Sequence, residues 1–217
     1  MEKIQSQNVN LLKSKVLFVE GMDEVNFFNA LLKKIELDGD YQVVDFKGKS
    51  QMGDFISMMS KTESFNENVT SIAIIRDADN NFDSVANEIK YTLKSVFSAK
   101  SIENGEVKEF EDINIGFYIM PGPGKNGELE DLVLSSLQEN EIFSEVCVYL
   151  EKLKTITKPA NEQSIFSYPR KESKAKLQIY FSSMKESDPR MGLSAQRSYV
   201  DFKHTSFEDL IRFIKSM

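Results

Sequence analysis

Residues 70–81, TSIAIIRDADNN, join a run of apolar, mostly β-branched residues to an abrupt change into charge. A run without polar residues is typical of a strand buried on both faces of a parallel sheet. Asp77 and Asp79 follow the run, and the two asparagines behind them favour a turn. In an open parallel sheet, functional groups collect beyond the carboxyl ends of the strands, which is where this pair lies. By itself, the pattern fits a helix cap as well as a ligand pair.

The composition predicts a globular protein of one large domain, or one domain with a small appendage. The chain has 217 residues, of which 41% are apolar and 28% charged. A single cysteine, Cys147, excludes a disulfide framework and a cysteine-based zinc site, and it suits a reducing compartment. We find no signal-peptide pattern at the N-terminus and no apolar run of membrane-spanning length, so we expect a cytoplasmic protein with no membrane partner.

Charge is distributed unevenly along the chain. The net charge is −7, and the acidic excess lies in the first 150 residues, whereas basic residues outnumber acidic ones from Glu151 onward. The overall balance argues against a broad surface that coats nucleic acid. An acidic N-terminal part and a more basic C-terminal part fit metal-binding carboxylates in the first part and phosphate contacts in the second.

The first half of the chain alternates strand and helix patterns with short links. This order predicts an α/β fold with a parallel four-stranded sheet flanked by helices and joined by right-handed crossovers. The predicted strands are 15–19, 39–46, 72–75 and 115–120, and the predicted helices between them are 22–37, 52–61 and 83–97. An acidic excursion, 101–114, interrupts this alternation of strands and helices. It carries Asn104-Gly105, a dipeptide typical of hairpin turns.

The second half is mainly helical. After the loop PGPGKNG comes a helix over 127–137, and further helices are predicted at 142–153, 174–184 and 206–214. We therefore divide the chain into an α/β core, 1–135, and a helical C-terminal extension, 136–217, packed on the same domain. His204, the only histidine, precedes the last helix, and we expect it to have a structural or N-terminal capping role.

Acidic residues follow three of the predicted strands. Because the carboxyl ends of parallel strands meet at one edge of the sheet, these side chains would converge and repel one another unless a cation neutralises them. Oxygen ligands suit Mg²⁺ or Mn²⁺, and this number of acids allows two ions. The residues concerned are Glu20, Asp77, Asp79, Glu128 and Glu130.

Two of these motifs resemble the Toprim domain, the catalytic module of topoisomerases, bacterial primases and several nucleases. VLFVEGMDE (16–24) matches a strand ending in Glu-Gly, and IIRDAD (74–79) matches a strand ending in Asp-x-Asp. The OLD-type branch (overcoming lysogenization defect) and small Toprim proteins related to it fit best. They share Glu-x-x-x-acid at Glu20 and Glu24, a Gly turn after the second strand, GELED at 127–131 and a downstream lysine. The resemblance covers about 16–131 and implies a Toprim-like, Rossmann-like fold.

The resemblance also implies roles for the acidic residues. Glu20 and Glu24, together with Glu128 or Glu130, would hold one metal ion. Asp77 and Asp79 would bind or orient the second ion.

Basic residues complete the predicted site. The family's lysine would stabilise charge on the phosphate that is cleaved, and Lys174 and Lys176 are the candidates. They lie in YPRKESKAK (168–176), the densest basic patch of the chain. A helix face that is merely exposed to solvent would show the same pattern of charges. The residues predicted to contact nucleic acid are Lys47, Lys49, Arg170, Lys171, Lys174 and Lys176.

The function implied is a divalent-metal-dependent nuclease with a two-metal mechanism that acts on nucleic acid, with DNA favoured over RNA, in phage defence or DNA processing. Asn80 stands where many Toprim domains have Gly, and no tyrosine-bearing breakage-reunion domain is recognisable. No GxxxxGKS motif is present, so an ATPase would have to be a partner acting in trans, and a homo-oligomer is compatible with the sequence.

Two alternatives remain open. One is a non-catalytic Toprim module that binds nucleic acid or a protein partner. The other is a DxD metal-dependent phosphatase or nucleotidyl enzyme. The phosphatase class carries its DxD on the first strand with Thr or Val next, a pattern that this chain lacks.

Overall fold

The computed structural model describes residues 9–157 and 167–217. Strands β1 to β5 are Lys15–Val19, Tyr41–Asp45, Ser71–Asp77, Val107–Phe110 and Ile113–Met120. Helices α1 to α9 are Met22–Lys34, Met52–Met59, Glu63–Asn68, Phe82–Phe97, Leu129–Ser135, Glu141–Ile156, Glu172–Ser182, Met191–Gln196 and Glu208–Ser216. Short 3-10 turns precede α2 and α9, at Lys49–Gln51 and Thr205–Phe207.

The sheet has five strands in the order β2-β1-β3-β5-β4, and all neighbours are parallel except β4 and β5. The predicted α/β class is confirmed, but the predicted number of four strands is wrong. The additional strand, β4, lies in the acidic excursion at the edge of the sheet. It escaped prediction because an edge strand has no continuous apolar run, and Lys108 and Glu109 at its centre are exposed.

The hairpin turn between β4 and β5 also differs from expectation. The turn is formed by Glu111 and Asp112, whose φ angles are 49° and 69°. Asn104-Gly105 instead lies before β4 and contacts the far end of β5. There the Ile119 N–H donates to Asn104 Oδ1 at 2.7 Å.

Parallel pairing brings the acidic residues to one edge of the sheet. Strand β1 ends at Val19, directly before Glu20, and β3 ends at Asp77. The chain then turns, and Asp79 adopts a left-handed φ of 50°. Its backbone exchanges two hydrogen bonds with Gly127, of 2.9 and 2.8 Å. The turn after β3 is therefore tied to the loop that follows β5.

Two layers of helices cover the sheet. On one face, α2 and α4 bury residues such as Phe55 and Ile89 against Ile74 of β3. On the other face, α1 buries Phe27 in the same cluster as residues of α5, α6, α7 and α9. The C-terminal helices thus share a hydrophobic core with α1. None of the helices in the described ranges is long and apolar enough to cross a membrane.

Helices α3 and α8 are short and were not predicted. Helix α8 packs closely against the first turns of α1, and Gly192 makes this approach possible. Its N–H donates to Asp23 Oδ1 at 2.8 Å. A Cβ atom at this position would lie 2.5 Å from the backbone oxygen of Asp23 and 2.6 Å from Asn26 Cβ.

We expect Gly192→Ala to lower the free energy of unfolding by about 2 kcal/mol, because a backbone oxygen cannot move away without shifting α1. Urea denaturation would measure the loss. Gly39→Ala is the matched control, since a Cβ there would meet nothing within 4 Å. Equal stability of the two variants would contradict the close packing of α8 on α1.

Candidate functional site

Glu20 and Glu24 lie where β1 passes into α1. Gly21 is the N-cap residue of α1, and Glu24 belongs to the first turn of the helix. A Cβ on Gly21 would lie 2.9 Å from Glu24 Oε2, so the carboxylate of Glu24 folds back over the glycine. Glu20 Oε2 is buried and has no hydrogen-bond partner among the residues that the structure describes.

Asp77 lies at the centre of a group of carboxylates. Its Oδ1 accepts a hydrogen bond of 2.8 Å from the N–H of Leu129, the first residue of α5. Burial raises the pKa of Asp77 well above its usual range, and the charges of Glu130 and Glu24 raise it further. This carboxyl group is therefore held by a helix N-terminus while its charge is disfavoured.

Burial also raises the pKa values of three neighbours, Glu20, Glu24 and Glu130. For Glu20, the charges of Lys49 and Arg76 oppose the shift. Burial is the largest cause in each case, and for Glu24 and Glu130 the charges of neighbouring carboxylates raise the pKa further. We call this group the acidic edge; its members are Glu20, Glu24, Asp77, Asp79, Glu128 and Glu130.

Two lysines form ion pairs with the acidic edge. Lys49, in the turn before α2, pairs with Asp79, and Lys171, just before α7, pairs with Glu128 at 2.5 Å. The hydrogen bond to Glu128 raises the pKa of Lys171. Both lysines were predicted to contact nucleic acid, and both lie beside carboxylates that were predicted to bind metal.

The two candidate catalytic lysines lie in different surroundings. Lys174 lines a cleft together with Glu130 and forms no ion pair with any described residue. Lys176 forms an ion pair of 2.6 Å with Glu172 on its own helix, and this hydrogen bond raises its pKa. The other carboxylate near Lys176 is Glu151, on α6. Only Lys174 of the pair therefore lies at the acidic edge.

Two further predicted contacts lie outside this group. Lys47 forms an ion pair of 2.9 Å with Asp45 at the end of β2. Arg170 is exposed and forms no ion pair with any residue in the described ranges. His204 Nδ1 accepts a hydrogen bond of 3.1 Å from the Ser206 N–H and caps the following 3-10 turn, so its predicted capping role is confirmed.

Metal binding can be judged from the carboxylates themselves. Within 9–157 and 167–217, no three His, Cys, Asp or Glu side chains form a ready-made group that could hold a metal ion. A hard cation nevertheless fits here. It would bind the Glu20 oxygen that has no hydrogen-bond partner, and it would stabilise the charged form of Asp77, whose pKa is raised. Side-chain rotations would have to bring the carboxylates together around it.

The arrangement differs in part from the predicted ligand sets. Asp77 is coupled to Glu24 and Glu130, whereas Asp79 pairs with Lys49 and lies within reach of Glu20. The two aspartates of the DxD motif therefore have different nearest charged neighbours within the acidic edge. Asp79 lies in the turn after β3, where it adopts a left-handed φ of 50°.

Sequence reasoning missed the role of Arg76. This side chain is only 2% exposed, and its Nη1 lies 2.9 Å from Glu88 Oε2 on α4. Burial raises the pKa of Glu20, and Arg76 is one of the cations that oppose the shift. The available signal was a charged residue that ends an apolar run inside a buried strand. Arg76 thus supplies positive charge beneath the acidic edge.

The structural role of Ser173 was also not predicted from the sequence. Its hydroxyl donates to Asp131 Oδ1 at 2.5 Å, while Asp131 Oδ2 accepts from the Glu128 N–H at 2.8 Å. These two bonds join the N-terminus of α7 to that of α5. They hold Lys171 and Lys174 near the carboxylates of α5, and no sequence motif pointed to them.

Comparisons with known proteins relate the whole chain to a family and to solved structures. A family model described as protein of unknown function (DUF3226) matches residues 14–217. No curated protein sequence matches the chain. Two structures of the C-terminal region of the Xanthomonas campestris pv. campestris OLD protein are similar in fold. The structure phased with mercury is 14% identical with a TM-score of 0.51, and the matched part covers 94% of this chain and 96% of that one.

The structure phased with platinum is 15% identical with a TM-score of 0.50, and the coverage is 94% and 93%. At sequence identities this low, the similarity shows a common fold and nothing more. The predicted OLD-like relationship is supported at the level of the fold. The Toprim resemblance itself stays a prediction from the motifs. Since the family model spans almost the entire described chain, this protein belongs to the family of proteins of unknown function DUF3226.

Proposed function

We propose that this chain is a divalent-metal-dependent nuclease that hydrolyses phosphodiester bonds of nucleic acid. The observation that carries the proposal is the acidic edge, where burial raises the pKa values of four carboxyl groups at the carboxyl ends of parallel strands. Such shifts cluster at functional sites. The fold shared with OLD C-terminal regions is compatible with this proposal.

The carboxylates would bind Mg²⁺ or Mn²⁺ in two sets. Glu24, Asp77 and Glu130 would hold one ion, and Glu20 and Asp79 would hold the other. Ions bound there would supply an activated water and stabilise the departing oxygen. The Leu129 N–H fixes Asp77 Oδ1, so Oδ2 is the oxygen that remains for a ligand.

The lysines would neutralise the phosphate. Lys174 forms no ion pair with a described residue, so its ammonium group can bind a phosphate oxygen next to Glu130. Lys49 and Lys171 would exchange their carboxylate partners for phosphate oxygens when cations enter the acidic edge. The bonds of Ser173 and Asp131 would keep α7 in position during this exchange.

A second candidate is a non-catalytic module that binds nucleic acid or a protein partner. The ion pairs of Lys49 with Asp79 and of Lys171 with Glu128 favour it, because they already neutralise part of the acidic edge. The lack of a ready-made metal group among the described residues agrees with it too.

Incubation with plasmid, single-stranded DNA and RNA discriminates between the two candidates. We expect cleavage with Mg²⁺ or Mn²⁺, none with EDTA, and loss of cleavage in Glu20→Ala, because the nuclease requires carboxylates that bind cations. Glu139→Ala, which removes an exposed carboxylate outside the acidic edge, is the control and should cleave like the wild type. A wild-type protein that binds these strands and cleaves none of them would favour the second candidate.

A further inference from the structure

A cleft of about 410 Å³ opens beside the acidic edge. Its walls come from the first turns of α1, from α5, from α7 and from the segment before α8. Glu130 belongs both to the cleft and to the acidic edge. The residues that matter most are Met22, Asn26, Glu130, Lys174, Gln178 and Met191.

The chemistry of the cleft suits a flat, aromatic group with polar edges. Met22 is 58% exposed and supplies a thioether group, which makes favourable contacts with aromatic rings and adapts to their shape, while Met191 lines the cleft but is nearly buried. Asn26 Oδ1 accepts a hydrogen bond of 3.0 Å from Gln196, so its amide N–H₂ remains as a donor. The amide of Gln178 forms no bond with any described residue and can donate and accept.

We propose that the cleft binds an unpaired nucleobase beside the phosphate that is cleaved, so that the substrate is single-stranded nucleic acid. This inference rests on the proposed nuclease function. Lys174 lines the cleft next to Glu130 of the acidic edge, and a phosphate bound to Lys174 would have its own nucleoside at the cleft. In a duplex the bases face the helix axis, away from a protein that contacts the backbone. A base can reach the cleft only when it has left the stack.

Fluorescence anisotropy tests the inference by binding rather than by activity. The probes are a labelled single strand, as DNA and as RNA, and the same sequence as a duplex, with Ca²⁺ in place of Mg²⁺. We expect the wild type to bind the single strand about ten-fold more tightly than the duplex. The double variant Met22→Ala/Gln178→Ala should lose this advantage and keep its affinity for the duplex, because duplex binding uses phosphates alone. Both side chains are exposed, so folding should not change.

Three results would overturn the inference: equal affinity of the wild type for single strand and duplex, binding of neither, or an equal loss for both in the variant. The proposed function fails differently. If single strands are bound through the cleft but are never cleaved in Mg²⁺ or Mn²⁺, the proposed nuclease function is refuted, whereas the proposed binding of a nucleobase in the cleft is not. Cleavage that is insensitive to the double variant would refute the cleft alone.

Helix α6 carries a second feature, which is independent of the nuclease. Its inner face buries Phe143, Val146 and Leu150. Its outer face exposes apolar residues at heptad spacing, and the exposed fractions are large. Ile142 is 55% exposed, Tyr149 53% and Ile156 69%, and Val148, beside them, is 61% exposed.

Charged residues on the same face make it self-complementary. Glu145 and Lys152 lie between the three apolar positions, and neither forms an ion pair with a residue in the described ranges. Two such helices can pair in antiparallel orientation around a two-fold axis at Tyr149. Ile142 of one copy then meets Ile156 of the partner subunit, and Glu145 meets Lys152 of the partner subunit, twice by symmetry.

We infer that a second copy of this chain covers the outer face of α6. A single pair of helices buries less than the roughly 800 Å² per partner of a standard interface. The dimer should therefore be reversible, with a population that rises with protein concentration.

Sedimentation velocity across a concentration series tests the dimer. Glu145→Lys and Lys152→Glu should each raise the dissociation constant about ten-fold, since each creates two like-charge contacts. The double variant Glu145→Lys/Lys152→Glu should restore the wild-type value. Tyr149→Asp should abolish the dimer, whereas Tyr91→Asp, which changes a tyrosine that is 73% exposed on α4, should leave it unchanged. A wild type that stays monomeric, or a double variant that fails to recover, would overturn the inference.

Discussion

Asp77→Asn is expected to reduce metal-dependent cleavage about a thousandfold and, at the same time, to raise the melting temperature of the metal-free protein. Asparagine has the size of aspartate, and its Oδ1 can still accept the hydrogen bond from Leu129. It removes a negative charge that burial and the neighbouring Glu130 and Glu24 disfavour. Loss of activity together with a gain of stability would distinguish a functional carboxylate from a structural one.

The pH dependence of stability gives the same prediction a second readout. The pKa of Asp77 is raised in the folded protein, so the folded state binds more protons than the unfolded state. The stability that Asp77 contributes is therefore fully present below 3.8, the pKa of this group in the unfolded chain. It is lost as the pH rises through the higher pKa that the group has in the folded protein. The pKa values of Glu20, Glu24 and Glu130 are raised in the same direction.

Thermal unfolding in EDTA, measured from about pH 4 to about pH 8, should therefore show a melting temperature that falls with pH. Asp77→Asn should reduce this slope. Mn²⁺ at neutral pH should raise the melting temperature of the wild type, because it neutralises the charge, and should have little effect on the variant. A variant that is less stable than the wild type at neutral pH in EDTA would contradict the account of Asp77.

Lys174→Met is expected to reduce cleavage about a hundredfold, whereas Lys176→Met should retain nearly full activity. Only Lys174 lies beside Glu130 in the cleft, and Lys176 is held by Glu172 on its own helix. Both substitutions keep a long side chain and remove one positive charge, so each is a control for the other. Single-turnover cleavage with saturating enzyme would separate the chemical step from binding.

Equal losses in the two variants would indicate that the basic surface of α7 contributes only general attraction to phosphate. A large loss in Lys176→Met alone would refute the assignment of Lys174. Because the charge of Lys174 opposes the effect of burial on the pKa of Glu130, Lys174→Met should also raise the pKa of that carboxyl group further.

The parallel part of the fold could be predicted because each buried strand has an apolar run and each run ends in a turn signal. Val16–Val19 and Ile72–Ile75 are almost completely buried, as continuous apolar runs require. The same rule failed for β4, since an edge strand that faces solvent keeps its charges. It also gave no sign of α8, whose position depends on the absence of a side chain at Gly192.

The acidic edge could be predicted as a group because parallel strands end at the same side of a sheet. How its members are partnered could not be predicted. Lys49 and Lys171 are thirty and forty-three positions from their carboxylate partners along the chain, so only the folded arrangement brings them together. Asp77 and Asp79 have different charged neighbours, and the sequence indicated a turn at Asp79 without its left-handed geometry.

Mn²⁺ binding measured by isothermal titration calorimetry tests the central claim, that the acidic edge holds divalent cations. We expect saturable binding of two ions by the wild type, loss of at least one of them in Asp77→Asn, and unchanged binding in Glu139→Ala. Binding by the wild type that disappears with Asp77 would support the account. No binding, or binding of equal strength and number in Asp77→Asn, would contradict it.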